Sequence, residues 1–317
     1  MPKQDALKQT LARFVRGGRL SHAVLIEGPA GSGREELALW LARSLVCEGE
    51  NAPCGQCLPC RKISSGNHPD VEVMRGESKS GVFTVEQVRS VREGLWLSPG
   101  EAGYRIYILL DIDDMNAEAQ NAFLKSLEEP PPFARFIMTC RNRSALLETI
   151  VSRASVFTLD PPSPAECAAE LTRLLPEASR RDAALAALCW DGCVGAADAA
   201  LRSEEGMAPA RMALSTLEFM RRGDTYSLMA ALAKEASSRE AFLEYIERLG
   251  SLAALAALPA GNELASKLLE RPVSARAAVG VADAAEKAAS AMHSNCSPEL
   301  VGSWFCGELA KVFGGNI

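Results

Sequence analysis

Histidine is scarce in this 317-residue chain: His22, His68 and His293 lie far apart and offer no constellation for an imidazole-based metal or catalytic site. Positive charge is not in excess either. Against 34 Lys and Arg stand 40 Asp and Glu, a formal charge of -6 that argues against a dedicated nucleic-acid-coating surface and leaves room only for a local basic patch. No uninterrupted apolar run approaches the ~18 residues of a membrane span. The opening MPKQDALKQTLARF is polar and amphipathic, with no apolar signal region. A cytoplasmic protein with no membrane partner is the expectation. Internal repeats and low-complexity tails are also missing, and the length suits two or three ordinary globular domains.

What is present changes character once along the chain. In the first half, short apolar runs alternate with helical patterns. HAVLIEG (22–28), DVEVMRG (70–76), RIYILLDI (105–112), RFIMTC (135–140) and ASVFTL (154–159) read as strands. Between them Leu37, Leu41 and Leu45 recur at helical spacing, as do Val85, Val88 and Val91, and NAEAQNAFLKSLEE ends at three prolines. This alternation predicts a parallel sheet with helices on both faces. From DPPSP (160–164) onward strand-like runs give way to Ala- and Leu-rich helical periodicity. The expected domains are an α/β unit over 1–160, a helical unit over 161–205 and a second helical unit over 206–317, with EEGMAPA as the hinge between the last two. In the closing stretch PELVGSWFCGELAKVF, helical spacing predicts Leu300, Trp304, Leu309 and Val312 near one face.

Cysteine is plentiful, and four of the ten residues are clustered. Cys47, Cys54, Cys57 and Cys60 form C-x6-C-x2-C-x2-C within residues 47–60. Four thiolates spaced by tight turns suit a tetrahedral, structural Zn²⁺ with no open position. The competing reading is a set of unrelated buried or redox-active thiols, but a two-cysteine redox motif leaves Cys47 and Cys54 without a role. Cys140, Cys167, Cys189, Cys193, Cys296 and Cys306 lie in apolar or helical contexts and read as small core residues.

GPAGSGREE (28–36) has the outline of a phosphate-binding loop without its working groups. Gly28 and Gly33 stand at the spacing of G-x-x-x-x-G-K-[ST], but Arg34 replaces the phosphate-reaching Lys and Glu35 the metal-ligating hydroxyl. Backbone N–H groups at the helix start leave residual nucleotide binding open.

Taken together, this loop, the four-Cys insertion behind it, NAFLKSLEEPPP (121–132) and TIVSRASVF (149–157) resemble the bacterial clamp-loader AAA+ subunits of DNA polymerase III, over about 19–160. The resemblance implies an α/β AAA+ domain with a zinc-bearing insertion, a helical lid (161–205) and a helical collar (206–317). Within that family it is closer to the non-hydrolysing delta-prime type than to the ATP-hydrolysing gamma/tau type. Counting back from Asn121, the Mg²⁺-binding Asp falls on Leu110 and the water-polarising Glu on Asp111. DGCVGAADAAL (191–201) offers Ala near the expected lid arginine. These losses remove phosphate neutralisation, metal ligation and water activation together.

The resemblance further implies that Arg153, in SRA (152–154), is an arginine finger acting in trans on ATP held by a neighbouring subunit. Ser152 would position the turn. Partners implied are gamma/tau and delta subunits and, through the assembled loader, a sliding clamp and primed DNA. The bland alternative has Arg153 capping carbonyls at a helix end or pairing with a carboxylate. Glu128 and Glu129 read as a solvated helix stop, and NRSALLETI as a scaffold helix delivering Arg153. Arg61 and Lys62 are weak candidates for DNA contact. An active gamma/tau-like ATPase and a zinc-dependent interaction module are the other functional readings.

Overall fold

The computed structural model describes residues 2–76, 83–235, 238–269, 273–294 and 296–314. The chain forms two compact units, Met1–Asp160 and Pro161–Ile317.

In the first unit the elements run α1 (Pro2–Arg16), β1 (Ala23–Glu27), α2 (Arg34–Val46), α3 (Leu58–Ser64), β2 (Val71–Met74), α4 (Val85–Gly94), β3 (Arg105–Leu109), α5 (Ala117–Glu128), β4 (Ala134–Cys140), α6 (Glu148–Val151) and β5 (Ser155–Thr158). The five strands form one sheet of order β2-β3-β4-β1-β5 with every pairing parallel. A parallel strand covered on both faces needs a continuous apolar run rather than alternation. Ala23, Val24, Leu25 and Ile26 of β1 are accordingly all buried.

The two faces sort by parity. Ala23, Leu25, Tyr107, Leu109, Phe136 and Met138 pack with Val88, Val91 and Phe123 from α4 and α5. Val24, Ile26, Ile106, Ile108 and Ile137 pack with Leu11, Leu37 and Leu41 from α1 and α2. Caps fix where helices begin: Thr84 and Gln87 form a reciprocal capping box on α4, and the Asn116 side chain accepts from the Ala119 N–H at the start of α5. α5 stops at Glu128, just ahead of Pro130, Pro131 and Pro132.

The second unit contains, among the described residues, only helices: α7 (Pro164–Leu174), α8 (Arg180–Cys189), α9 (Val194–Leu201), α10 (Glu204–Arg222), α11 (Thr225–Glu235), α12 (Arg239–Ala256), α13 (Pro259–Leu268), α14 (Ala275–His293) and α15 (Pro298–Gly314). They share one hydrophobic core from Cys167 to Leu309. Inside it the Thr216 and Tyr245 hydroxyls hydrogen-bond at 2.8 Å, which satisfies two buried polar groups at once. No helix among the described residues is long and apolar enough to cross a membrane.

Three local expectations are corrected. EEGMAPA is not a hinge: Ser203 caps α10, and residues 204–210 lie inside that helix. The buried row of α15 is Val301, Phe305 and Leu309, whereas Leu300 is 69% and Trp304 41% exposed. Leu309 and Val312 meet the core as expected, and Val301 and Phe305 take the places expected of Leu300 and Trp304. NRSALLETI is not one helix but a 3-10 turn (Arg143–Ala145) followed by the single-turn α6.

Candidate functional site

At the carboxyl end of β1 the chain turns through Gly28–Gly33 into α2. Both glycines are required by geometry. A Cβ on Gly28 would lie 2.8 Å from the Leu159 carbonyl oxygen and 2.9 Å from Ser32 Oγ, and Gly33 has φ +89°. Arg34, only 8% exposed, reaches across to Asp111, with Nη2 3.1 Å from Oδ1. Asp111, itself at φ 56°, donates its backbone N–H to Thr139 Oγ1 at 2.8 Å. The substituted arginine and the surviving carboxylate after β3 are thus partners. Leu110 between β3 and Asp111 is buried in the sheet core and offers no metal ligand.

The rest of this end of the sheet is internally compensated in the same way. Arg141, just after β4, pairs with Asp113 at 2.7 Å and also with Asp114. Arg143 lies 3.6 Å from Glu27, and its backbone N–H donates to the same carboxylate at 3.0 Å. Glu35 pairs with Arg75 at 2.5 Å. Cys140 sits among these charges: burial pushes its thiol up to about 12, with Asp113 and Glu27 adding to the rise and Arg34 opposing it. Glu35 and Glu36 occupy the first turn of α2, where carboxylates already answer the positive end of the helix dipole. A polyphosphate arriving here would meet cations that already have carboxylate partners. It would also meet no hydroxyl or aspartate placed to ligate Mg²⁺ at residues 35 and 110.

The four clustered cysteines come together. Cys47 follows α2, Cys57 is the N-cap of α3 and Cys60 lies within α3, so two helix ends frame the insertion. Their Sγ atoms lie within 4.8 Å of one another. Cys47 and Cys57 Sγ are 3.9 Å apart, close to the ~3.8 Å edge of a tetrahedron with ~2.3 Å metal–sulfur arms. Backbone N–H groups of Gly49 and Cys54 donate to Cys47 Sγ, and those of Gln56 and Cys57 to Cys54 Sγ, at 3.2–3.5 Å. Such donors stabilise thiolate ligands from outside the coordination shell. Those from Cys57 and Gln56 draw Cys54 down to about 6, whereas burial pushes Cys60 up to about 12. The cluster can hold one four-coordinate metal ion.

The third element is Arg153, two residues past the end of α6. Its Nη1–H donates to the Thr149 carbonyl at 3.0 Å, and its Nη2 pairs with Glu128 Oε1 at 3.0 Å. Ser152 Oγ–H donates to the same Thr149 carbonyl at 3.1 Å, closing the turn that carries Arg153. The Arg153 side chain is 36% exposed.

The structure brings Gly28, Gly33, Arg34 and Glu35 together at one end of the sheet, and Ser152 and Arg153 at one turn. Sequence reasoning missed the ion pairs of Arg141 and Arg143. The signal was the acidic run DIDD after β3 beside CRNR after β4, since adjacent parallel strands present their following loops at the same edge. For Arg153 both contacts of the bland alternative are present, a carbonyl cap at Thr149 and a carboxylate partner, which is Glu128. Lys62, a DNA candidate, instead binds Glu101 at 2.7 Å. Cys140, Cys167, Cys189 and Cys193 are buried and Cys306 half-buried, but Cys296 is exposed and not a core residue.

Against known proteins, the family profile described as DNA polymerase III, delta subunit, matches residues 3–163. The chain is 35% identical over 162 residues to DNA polymerase III subunit delta' of Bacillus subtilis, covering 51% of this chain and 49% of that protein. It is 32% identical over 230 residues to subunit delta' of Escherichia coli, covering 72% of this chain and 68% of that protein. The matches thus span about half of the first relative's length and about two thirds of the second's. The tau subunit of B. subtilis is 31% identical over 156 residues, 49% of this chain and 27% of that protein. Among solved structures, a DNA polymerase III gamma subunit-related protein from Thermotoga maritima superposes with a TM-score of 0.51 at 18% identity, over 96% of this chain and 99% of that one. That likeness bears on the fold alone.

Proposed function

We propose a specific role for this chain, which belongs to the delta-prime family of DNA polymerase III clamp-loader subunits: it is a non-hydrolysing stator that lends Arg153 to ATP bound by its neighbour. One contrast carries the reading. In the chain's own phosphate loop Arg34, at the lysine position, is buried and paired with Asp111, while Arg153 stands partly exposed at a turn that Ser152 closes. In this reading 161–205 is the lid and 206–317 the collar that docks to gamma/tau and delta subunits. The assembled loader opens a sliding clamp and places it on primed DNA. One Zn²⁺ held by Cys47, Cys54, Cys57 and Cys60 orders the insertion between α2 and α3.

The chemistry asked of Arg153 is electrostatic. Charge develops on the γ-phosphate oxygens during transfer, and a planar guanidinium donates to two of them without reorganising water. Arginine fingers contribute about 10³–10⁵ in rate in related GTPases. The effect here is smaller, because the other ATP sites of the ring do not depend on Arg153. The test compares complexes that differ only at Arg153, with assembly checked by size-exclusion chromatography. Arg153→Ala is expected to assemble normally, with partial loss of ATP turnover and a sharper loss of clamp loading. Arg153→Lys restores little, because an ammonium lacks the donor fork. Unchanged rates in a fully assembled Arg153→Ala complex would make the residue a structural cap.

A further inference from the structure

Glu128 is spatially the partner of Arg153, although 25 residues separate them. It is the last residue of α5, where a carboxylate faces the negative end of the helix dipole and is disfavoured unless a cation answers it. Arg153 supplies that cation. The Glu128 side chain is 50% exposed and that of Arg153 36%, so water reaches both and the pair is open to exchange. Both terminal nitrogens of the guanidinium are engaged inside the chain, one by Glu128 and one by the Thr149 carbonyl. Each terminal nitrogen keeps a second N–H, but while Glu128 and the Thr149 carbonyl hold the guanidinium its charge is answered inside the chain and its orientation is set by this turn.

We propose that Glu128 is a positioning residue that parks Arg153 against the end of α5 and yields it to the neighbour's γ-phosphate on engagement. This rests on the reading of Arg153 as a finger in trans. The strength of the latch suits exchange: exposed ion pairs are weak and salt-sensitive, so a multiply charged phosphate in a drier site displaces the carboxylate readily. Release leaves Glu128 facing the helix dipole alone, and this returns the arginine when the phosphate departs. The latch acts before engagement, so it raises the ATP concentration needed without changing the rate once the finger is in place.

The experiment uses the reconstituted loader in which only the ATPase subunit next to this chain keeps its phosphate-loop lysine, so that one ATP site is read. Glu128→Gln keeps the shape of the side chain and removes its charge. It is expected to lower the KM for ATP by about two- to fivefold, the range an exposed ion pair supports, with kcat unchanged. The difference shrinks as salt is raised. Glu129→Gln, one residue along, controls for general loss of negative charge and leaves KM where it was. In an Arg153→Ala background Glu128→Gln has no further effect. An unchanged or raised KM, a fall in kcat, or an equal shift with and without Arg153 would each overturn the latch. If Arg153→Ala itself changes nothing, the finger reading has failed and the latch falls with it. If Arg153→Ala lowers turnover and Glu128→Gln does not lower KM, only the latch has failed.

Discussion

A carboxylate is buried at Asp70, 1% exposed, because three backbone N–H groups converge on it. Gly100 donates to Oδ1 at 2.7 Å, and Glu101 and Ala102 to Oδ2 at 2.7 and 2.8 Å. Burial alone would push its pKa up. The donors from Gly100, Ala102 and Glu101, with His68 adding to them, outweigh burial and hold it below the ordinary value. A group depressed in this way contributes stability that is complete above its unfolded pKa, about 3.9, and is lost as pH falls through the folded value. Asp70→Asn replaces an acceptor oxygen with an NH₂ that faces donors, and is expected to cost about 1–3 kcal/mol at neutral pH. Urea unfolding of both proteins across pH should show that gap closing below about pH 4. A gap that persists undiminished at pH 2 would mean that the ionised carboxylate is not what holds the loop. None of this was legible in the sequence, where Asp70 is only the polar start of an apolar run. Its partners lie 30 to 32 residues away on a loop with no periodicity. The same holds for Arg34 and Asp111: the sequence exposed each as a lost catalytic group, but not that the two losses compensate each other.

Among the elements, the strands were legible because a parallel sheet covered on both faces demands continuous apolar runs, which few other structures in a chain of this kind produce. The helix ends were less so. Gly206 and Pro209 resemble a break, yet Gly206 is there because α9 and α10 pack closely, a Cβ at that residue falling 2.6 Å from the Ala200 carbonyl oxygen. The four-Cys insertion was the most legible element, since C-x2-C turns have few other uses. It is also an element with little core of its own: among Cys47–Cys60, only Cys60 is buried. Its order should therefore depend on the ion. Protein purified without added metal is expected to carry one zinc per chain by elemental analysis, and Cys57→Ser to lose it. Chelation should raise amide exchange across residues 47–60 while the sheet stays protected, because β1, β3 and β4 are buried independently of the insertion. Full zinc content in Cys57→Ser would break the assignment.

At the scale of the molecule, the chain has an AAA+ scaffold, and ion pairs gather at the phosphate-loop end of its sheet. Gly28 and Gly33 explain why the loop outlasts its chemistry: the first admits the close approach of residue 159, and the second takes a left-handed conformation that a side chain would strain. Arg34, Arg141 and Arg143, the cations at the mouth, each face a carboxylate. ATP binding would have to draw these arginines from their carboxylates, although Arg34 Nη1 is buried without a hydrogen-bond partner among the described residues, and hydrolysis would further need the metal ligands missing at Glu35 and Leu110. The isolated chain is therefore expected to show no steady-state ATP turnover above that of heat-killed protein. Arg34→Lys alone should not change this. The ammonium would regain a phosphate-reaching shape, but Leu110 would still offer Mg²⁺ nothing and Asp111 would still be the only carboxylate of the former pair. Turnover that follows the chain through successive purification steps and is altered by Arg34→Lys would show that the seat still works. The stator reading would then give way to an ATPase with an unusual phosphate loop.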